Sequence, residues 1–530
     1  MKKLLLFAGL FFALAANAQL RLVANFDGTN SGNVKPYLVH EGKLYFTANT
    51  PATLFYSTQG STSNTLFEAS LGALARPSAT LVKHVVFNNE LHFIATYIGG
   101  STSTQLTKSI SSSNNCDAYA NLSVYTGSTA SQINYATVLN SEFLFAPSVA
   151  DASNPRGVEL YKSNGSTISL VRDIRVDQPS SNPRDLTVLG NSCFFSADDG
   201  SDRELWISDG TTAGTIQYLD INTTTSTSSS DPDNLNVLGA QLTFVATHTT
   251  LGRELFKTNG AGSLVLVKDI NTAGDSNPTN ITNIGGELYF SASNGTVGQE
   301  LWKSNGTNLG TIMLKDINPT GDSNASKFTQ MGSTVFFIAN DGTNGVELWK
   351  TDGTGVGTVL VKNINPSGNS NPDYLTVYNG KLYFTADNGT NGTELWVSDG
   401  TLVGTTMIEV NPTATSNISH LLVLNNELFF AADAGTVGKE LYAYMDPALS
   451  TNSFSLDKNA ISLYPNPSKN YFELSGDASI QKVEVYSIQG QLVKSFKNEN
   501  QYAISDLAKG IYIVKINATE GTLNKTLIVE

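Results

Sequence analysis

Residues that bind metals or act as nucleophile and base are sparse in this chain. Its 530 residues include five His and two Cys. The His residues show no metal-binding spacing such as His-x-x-x-His, and two Cys exclude a disulfide-stapled scaffold or a Cys-rich metal cluster. No nucleophile elbow or glycine-rich oxyanion motif marks a Ser-His-Asp set. The sequence therefore predicts a protein that is not an enzyme.

Carboxylates instead recur at one repeated position, where Glu is followed by Leu and an aromatic residue. A ring of such carboxylates would bind ligands, whereas a strand-start Glu would accept hydrogen bonds from a neighbouring turn. We favour the second interpretation, because repeated positions in repeat proteins usually serve packing, and we expect the aromatic residue to pack between repeats. The four best copies, which contain all four Trp of the protein, are Glu204 and Trp206, Glu300 and Trp302, Glu347 and Trp349, and Glu394 and Trp396.

Acidic turns follow several of these motifs. Asp209, Asp352 and Asp399 each precede Gly, and carboxylate oxygens are ligands that Ca²⁺ prefers. Asn takes the same place in equivalent turns, as at Asn164 and Asn305, which fits a turn role better than a charge role. We therefore predict no cofactor, with calcium at the three Asp residues as the alternative.

An apolar, mostly aromatic triplet sets the period of the chain. Nine copies, from Leu44-Tyr45-Phe46 to Leu428-Phe429-Phe430, follow one another at steps of 46 to 52 residues. Within a copy, short β-branched and aromatic runs alternate with Asn-Gly or Asp-Gly, which is typical of antiparallel hairpins. No segment keeps an apolar period of 3.6 residues. The pattern predicts an all-β protein whose four-stranded blades form a β-propeller.

The number of blades depends on how the ends of the ring meet. The ninth copy stops after its third strand, and an additional strand, residues 20–26, precedes the first copy. We expect residues 20–26 to pair with residues 440–444, because closure removes exposed sheet edges. Nine blades exceed the usual number, so eight blades with an irregular N-terminal insertion is the alternative.

The two ends of the chain differ from the repeats. Lys2 and Lys3, an apolar run and Ala16-Asn17-Ala18 form the pattern of a cleavable signal peptide over residues 1–18. No stretch is long and apolar enough for a transmembrane segment. The propeller is expected over residues 19–445 and a linker over 446–459. Alternating apolar residues with regular turns predict a small β-sandwich over 460–530.

The repeats resemble the bacterial ELWxxDGT repeat family, best at Glu204 to Thr211, Glu347 to Thr354 and Glu394 to Thr401. The match extends from about Val158 to Tyr442, whereas the first two copies lack the Glu. Members of this family resemble secreted or surface proteins. The resemblance implies no set of catalytic residues.

The tail contains a set of residues with a characteristic order, namely Pro465, Asn466, Pro467, Gly490, Gly510, Tyr512 and Lys525. In these residues it resembles the type A C-terminal sorting domain of type IX secretion substrates. The resemblance implies contact with the type IX translocon and its shuttle and sortase components, and export to the medium or the outer-membrane surface of a Bacteroidota-type bacterium.

Charge narrows the possible partners. The net charge of −14 argues against nucleic acid and anionic membranes, since both need a basic face. We therefore predict a non-enzymatic surface protein that binds or adheres to an extracellular glycan or protein. One alternative is a secreted propeller enzyme acting on polysaccharide, with a His-containing or paired-carboxylate pocket at the ring axis. Another is a structural component of a surface or gliding apparatus.

Overall fold

A computed structural model describes residues 20–24, 32–49, 53–58, 67–68, 70–71, 77–78, 84–97, 103–109, 115–121, 133–147, 157–176, 180–225, 227–259, 262–435, 437–446, 461–475, 480–487, 491–518 and 521–530. The predicted signal peptide, Gly490, and the predicted linker apart from Asp446 lie outside these ranges. The chain divides into two compact units, Met1–Tyr444 and Met445–Glu530. No helix long and apolar enough to span a membrane occurs in the described residues.

The first unit is built from short strands, and its described residues contain no helix. The strands are β1 (Leu20–Ala24), β2 (Lys35–His40), β3 (Lys43–Asn49), β4 (Thr53–Thr58), β5 (Phe67–Glu68), β6 (Ser70–Leu71), β7 (Pro77–Ser78), β8 (His84–Phe87), β9 (Glu90–Tyr97), β10 (Ser103–Ser109), β11 (Asn115–Asn121), β12 (Ile133–Leu139), β13 (Glu142–Pro147), β14 (Leu160–Ser163), β15 (Ile168–Arg172), β16 (Arg184–Leu189), β17 (Ser192–Asp198), β18 (Arg203–Ser208), β19 (Ile216–Leu219), β20 (Asp233–Leu238), β21 (Gln241–His248), β22 (Gly252–Thr258), β23 (Val265–Lys268), β24 (Thr279–Ile284), β25 (Glu287–Ala292), β26 (Glu300–Ser304), β27 (Ile312–Lys315), β28 (Ser326–Met331), β29 (Thr334–Asn340), β30 (Val346–Thr351), β31 (Val359–Lys362), β32 (Asp373–Tyr378), β33 (Lys381–Asp387), β34 (Thr393–Ser398), β35 (Thr406–Ile408), β36 (Ser419–Leu424), β37 (Glu427–Asp433) and β38 (Lys439–Tyr444).

These strands form four-stranded antiparallel meanders in chain order, such as β16-β17-β18-β19 and β32-β33-β34-β35. Tight turns with a positive φ connect the first two strands, as at Asn379 and Gly380, which is the conformation that Asn-Gly supplies. The first strands of successive sheets contact one another from β12 to β36, and β36 contacts β2. The first strands therefore surround the axis of a ring, and the all-β propeller prediction is confirmed.

The N-terminal strand closes the ring as predicted. β1 pairs antiparallel with β38, with Leu20 opposite Tyr444 and Leu22 opposite Tyr442, and completes the sheet β1-β38-β37-β36. Arg21 also forms an ion pair with Glu427 of β37, in which its Nη2 lies 2.9 and 3.0 Å from the two carboxylate oxygens. The last sheet thus combines strands from both ends of the first unit.

One sheet departs from the regular pattern. β6 to β11 form a six-stranded sheet in which β11, the strand that contains Cys116, pairs parallel with β6. The other eight sheets of the first unit have four strands each in the described residues. The blade number, nine or eight, stays a prediction.

The hydrophobic core lies between neighbouring sheets. In one cluster, Leu144 and Leu160 of β13 and β14 pack with Phe195 and Trp206 of β17 and β18. Second strands such as β17 are buried at five successive positions, because each sheet is covered by a neighbour on both faces. Fully burying a large apolar side chain contributes about 1.5–3 kcal/mol, which explains the repeated apolar triplet.

The second unit is a small β-sandwich. Its strands are β39 (Ser462–Tyr464), β40 (Tyr471–Ser475), β41 (Ile480–Ser487), β42 (Leu492–Lys497), β43 (Tyr502–Ala503), β44 (Gly510–Ala518) and β45 (Gly521–Val529). They form the sheets β39-β40-β43 and β42-β41-β44-β45. Phe472 and Tyr502 from the first sheet share a buried core with Val485 and Val514 from the second.

Candidate functional site

The repeated Glu is buried and serves as a hydrogen-bond acceptor for the segment that leads to the next sheet. The carboxylate of Glu347 accepts the N–H of Ile364 at 2.9 Å, the N–H of Ser370 at 3.2 Å and the Ser370 hydroxyl at 2.6 Å. Glu204, Glu300 and Glu394 each accept the two equivalent backbone N–H groups. In another sheet, the segment Asp269-Ile270-Asn271 follows the fourth strand β23, and there Ile270 donates its N–H to Glu254 at 3.1 Å.

Burial sets the electrostatics of this row of carboxyls. It raises the pKa of Glu159 and Glu204 to about 7, although the hydrogen bonds from Ser181 and Ser230 act in the opposite direction. The pKa values of Glu300, Glu347 and Glu394 are raised for the same reason. Each of these carboxyls lies in its own sheet and is occupied by backbone donors, so the row joins successive sheets.

The four Trp side chains lie between sheets. Trp302 packs against Leu255 and Val267 of the preceding sheet, and its indole N–H donates to the carbonyl of Ala292 at 2.9 Å. Trp206, Trp349 and Trp396 are buried in equivalent clusters. These rings are inaccessible to a ligand.

The calcium candidates Asp209, Asp352 and Asp399 are exposed, and each accepts hydrogen bonds within its own turn. One carboxylate oxygen of Asp352 accepts the N–H of Thr354 at 2.9 Å and its hydroxyl at 2.7 Å, and Asp209 and Asp399 do the same with Thr211 and Thr401. The Thr hydrogen bonds lower the pKa of all three carboxyls. The structure therefore does not bring these residues together.

Three other acidic residues lie close together in the part of the chain that the structure describes. Ligand oxygens of Asp202, Glu204 and Asp220 lie within 4.8 Å of one another. Glu204 already accepts two backbone N–H groups and the Ser230 hydroxyl. These bonds account for the position of Glu204 without a metal ion.

The histidines and Cys193 lie apart. Burial lowers the pKa of His92 to about 4, and Cys193 is buried in a second strand, where burial raises its pKa to about 12. His40 and His248 form local contacts, to Asn89 and Thr250. His420 belongs to a group of polar side chains on the first strands.

That group occupies one equivalent position in six first strands, which we term the bulge positions. Each is the second residue of its strand, lies at a break in the pairing register and has a φ between 52° and 58°. Such a left-handed conformation is uncommon for any residue except glycine. The bulge positions are Asp185, Asn234, Asn280, Lys327, Tyr374 and His420.

A repeated device stabilises the bulges. Thr187 donates its hydroxyl to the carbonyl of Asp185 at 2.9 Å, and Thr376 does so to Tyr374 at 2.8 Å. The Asn236 amide makes the same bond to the carbonyl of Asn234 at 3.0 Å. The side chain at the bulge does not take part in this bond, and its identity can therefore vary.

The bulge side chains also contact neighbouring first strands. Lys327 forms an ion pair with Asp373 at 2.8 Å, and the rings of Tyr374 and His420 lie 5.2 Å apart. Burial lowers the pKa of His420, and the charges of Lys35 and Lys439 lower it further. This sector of the axis is therefore basic, although the chain as a whole is acidic.

A cavity of about 560 Å³ opens at the opposite sector of the axis. Asp185 and Asn234 contribute to its lining together with Tyr135, Thr187, Asp233 and Asn236, all from β12, β16 and β20. Sequence reasoning missed this site. The repeat places Tyr135, Asp185 and Asn234 in register, but no local motif indicates a left-handed bulge.

The tail residues hold the last strand in place. Asn466 accepts the N–H of Ile528 at 2.8 Å and donates to the carbonyl of Thr526 at 2.7 Å. Pro465 and Pro467 flank it in an exposed turn. Gly510 begins β44 opposite Val529. Tyr512 donates its hydroxyl to Ala508 at 2.9 Å, and Lys525 lies opposite Val514.

Comparisons with known proteins identify the tail. Residues 462–530 match the family model "Secretion system C-terminal sorting domain", which implies export by the type IX secretion system to the cell surface or the medium. None of the curated proteins matches the chain.

Solved structures similar to the chain include propeller proteins. One is dipeptidyl peptidase 4 of Porphyromonas gingivalis, at 11% identity and a TM-score of 0.45, covering 76% of this chain and 65% of that one. Another is the β-propeller domain of the Trilobed protease from Pyrococcus furiosus, at 10% identity and a TM-score of 0.36, covering 62% and 98%. Likeness at this level carries no inference about activity.

Proposed function

We propose that this chain is a non-enzymatic binding protein of the cell surface or medium, which contacts an extracellular glycan or protein at the axial end of its ring where the first strands begin. The bulge positions carry this proposal. They hold side chains that differ from sheet to sheet, whereas the positions that build the core repeat.

The backbone conformation supports a role for these side chains. A non-glycine residue in the left-handed region costs about 1–2 kcal/mol, less for Asn and Asp, and strained residues cluster at binding sites. The chain uses Gly at many other positions of positive φ, including Gly380 and Gly400. At Lys327, Tyr374 and His420 it keeps long side chains despite the strain, which is expected if those side chains contact a ligand.

The secreted-enzyme alternative has one observation in its favour, since Asp185 and Asp233 line the same cavity. Asp185, however, accepts the N–H of Asn234 at 2.9 Å, and Asp233 forms an ion pair with Arg253 at 2.8 Å. Both carboxylates are therefore already engaged by groups of the protein itself. These contacts favour binding over hydrolysis.

The test compares a strain that lacks the gene with its parent. We expect weaker adhesion to glycan- or protein-coated surfaces, and we expect the purified mature chain to bind those surfaces without releasing reducing sugar. Normal adhesion together with no binding by the purified chain would overturn the proposal. Release of sugar would favour the enzyme, and a stable protein partner on co-purification with normal adhesion would favour a structural role.

A further inference from the structure

The axial cavity has the chemistry of a site for a hydroxyl-rich ligand. Its carboxylates accept hydrogen bonds, its amides both donate and accept, and Tyr135 adds an aromatic ring and a phenol. Its volume of about 560 Å³ lies within the range of about 300–1,000 Å³ that is typical of small-molecule sites.

The polar groups of the cavity are held in fixed positions. Asn234 donates its side-chain N–H to Asp233 at 3.0 Å, and an amide retains a second donor and an acceptor after such a bond. Thr187 donates its single hydroxyl hydrogen to the carbonyl of Asp185 at 2.9 Å, and the carbonyl of Leu235 in the next sheet lies 3.3 Å from the same hydroxyl and shares this hydrogen. Preorganised groups of this kind lower the entropic cost of binding.

The charges around the cavity disfavour an ionic ligand. Asp185 and Asp233 would repel an anion at the lining itself. A cation would meet Arg253, which is paired with Asp233, and the charges of Arg184 and Arg203, which act on the Tyr135 phenol. An uncharged ligand avoids both penalties.

We propose that this cavity binds an uncharged sugar residue of an extracellular glycan, an inference that rests on the proposed binding function. The sugar hydroxyls would donate to Asp185 and Asp233 and bond to the amides of Asn234 and Asn236. The apolar face of the sugar would lie against Tyr135.

The experiment measures binding of the mature chain to immobilised neutral, uronate-containing and sulfated oligosaccharides. Asn234→Gly removes the amide while the φ of 52° remains comfortable for glycine. Asn140→Gly is the matched control, because Asn140 also has a positive φ, of 55°, but lies in the turn at the other end of β12. We expect binding to a neutral oligosaccharide, weakened about tenfold by Asn234→Gly and unchanged in the control.

The other outcomes separate this inference from the proposed function. Binding to charged oligosaccharides alone would overturn the ligand class. Neutral binding that survives both Asn234→Gly and Tyr135→Ala would overturn the cavity as the site. If the mature chain bound protein-coated surfaces but no saccharide, the sugar inference would be overturned and the proposed function would stand. If the mature chain bound neither saccharides nor proteins, both would be overturned.

Discussion

Replacing Lys327 by glycine and by alanine tests whether the bulge positions are strained. Both variants remove the Lys327–Asp373 ion pair, so the difference between them reports the backbone alone. The φ of Lys327 is 56°, where a Cβ atom costs about 1–2 kcal/mol. Glycine loses about 0.5–1 kcal/mol through backbone entropy. We therefore expect Lys327→Gly to be more stable than Lys327→Ala by about 0.5–1 kcal/mol.

The same pair of substitutions at Gln330 provides the control. Gln330 lies in the same strand, is exposed and pairs regularly with Val335. There we expect the opposite order, with alanine more stable than glycine by about 0.5–1 kcal/mol. Urea unfolding midpoints measure which of the two variants is more stable at each position. Hydrogen exchange of the β28 amides measures the same difference within that strand. If alanine were as stable as glycine at position 327, the argument from strain would be refuted.

Three further predictions concern the buried carboxyls and the tail. Glu347→Gln should destabilise the ring by about 1–3 kcal/mol in urea unfolding, because its amide nitrogen would face backbone N–H donors, whereas the exposed Glu409→Gln should change stability by less than about 0.5 kcal/mol. Burial raises the pKa of Glu204 from 4.5 to about 7, so the folded state binds a proton at Glu204 more tightly than the unfolded state does. The resulting contribution to the free energy of unfolding is complete below pH 4.5 and is lost as the pH rises through 7. We expect stability to fall over that window by about 3 kcal/mol for this group, and by less in Glu204→Gln; a rise would contradict the shift. Removal of residues 462–530 should abolish export, as measured by fractionating cells and medium, and export of the shortened chain would contradict the assignment.

Much of the fold follows from local sequence signals. Asn-Gly and Asp-Gly set the turns, and the runs of apolar residues mark second strands that are buried on both faces. The closing strand was also predictable, because a ninth copy without its fourth strand needs a partner for Tyr442 and Tyr444. The irregular sheet around Cys116 was not predictable in detail, since its parallel pairing with Ser70 and Leu71 depends on contacts distant in sequence.

The candidate site was not predictable from residue types. The residue types single out Glu204, Glu347 and Asp352, which occupy positions that repeat. In the structure these side chains accept hydrogen bonds from the segments between sheets and from turns. The position that we propose to contact the ligand is the one that varies, from Asp185 to His420. A variable position carries no motif, and a left-handed Lys or His has no local sequence signal. The shared left-handed conformation becomes visible only when the repeats are compared in space.

The bulge device explains how the ring can combine a uniform scaffold with a variable site. The hydroxyl of Thr376 satisfies the carbonyl of Tyr374, and Thr187 does the same for Asp185, so the bulge does not depend on the side chain it presents. The strain of a bulge, about 1–2 kcal/mol at Lys327 or Tyr374 and less at Asp or Asn, does not exceed the contribution of about 1.5–3 kcal/mol from one fully buried aromatic residue such as Phe195 or Phe244. Each sheet can therefore offset its own bulge, and the side chain at a bulge position can vary without removing the Thr187 or Thr376 hydrogen bond that holds the bulge.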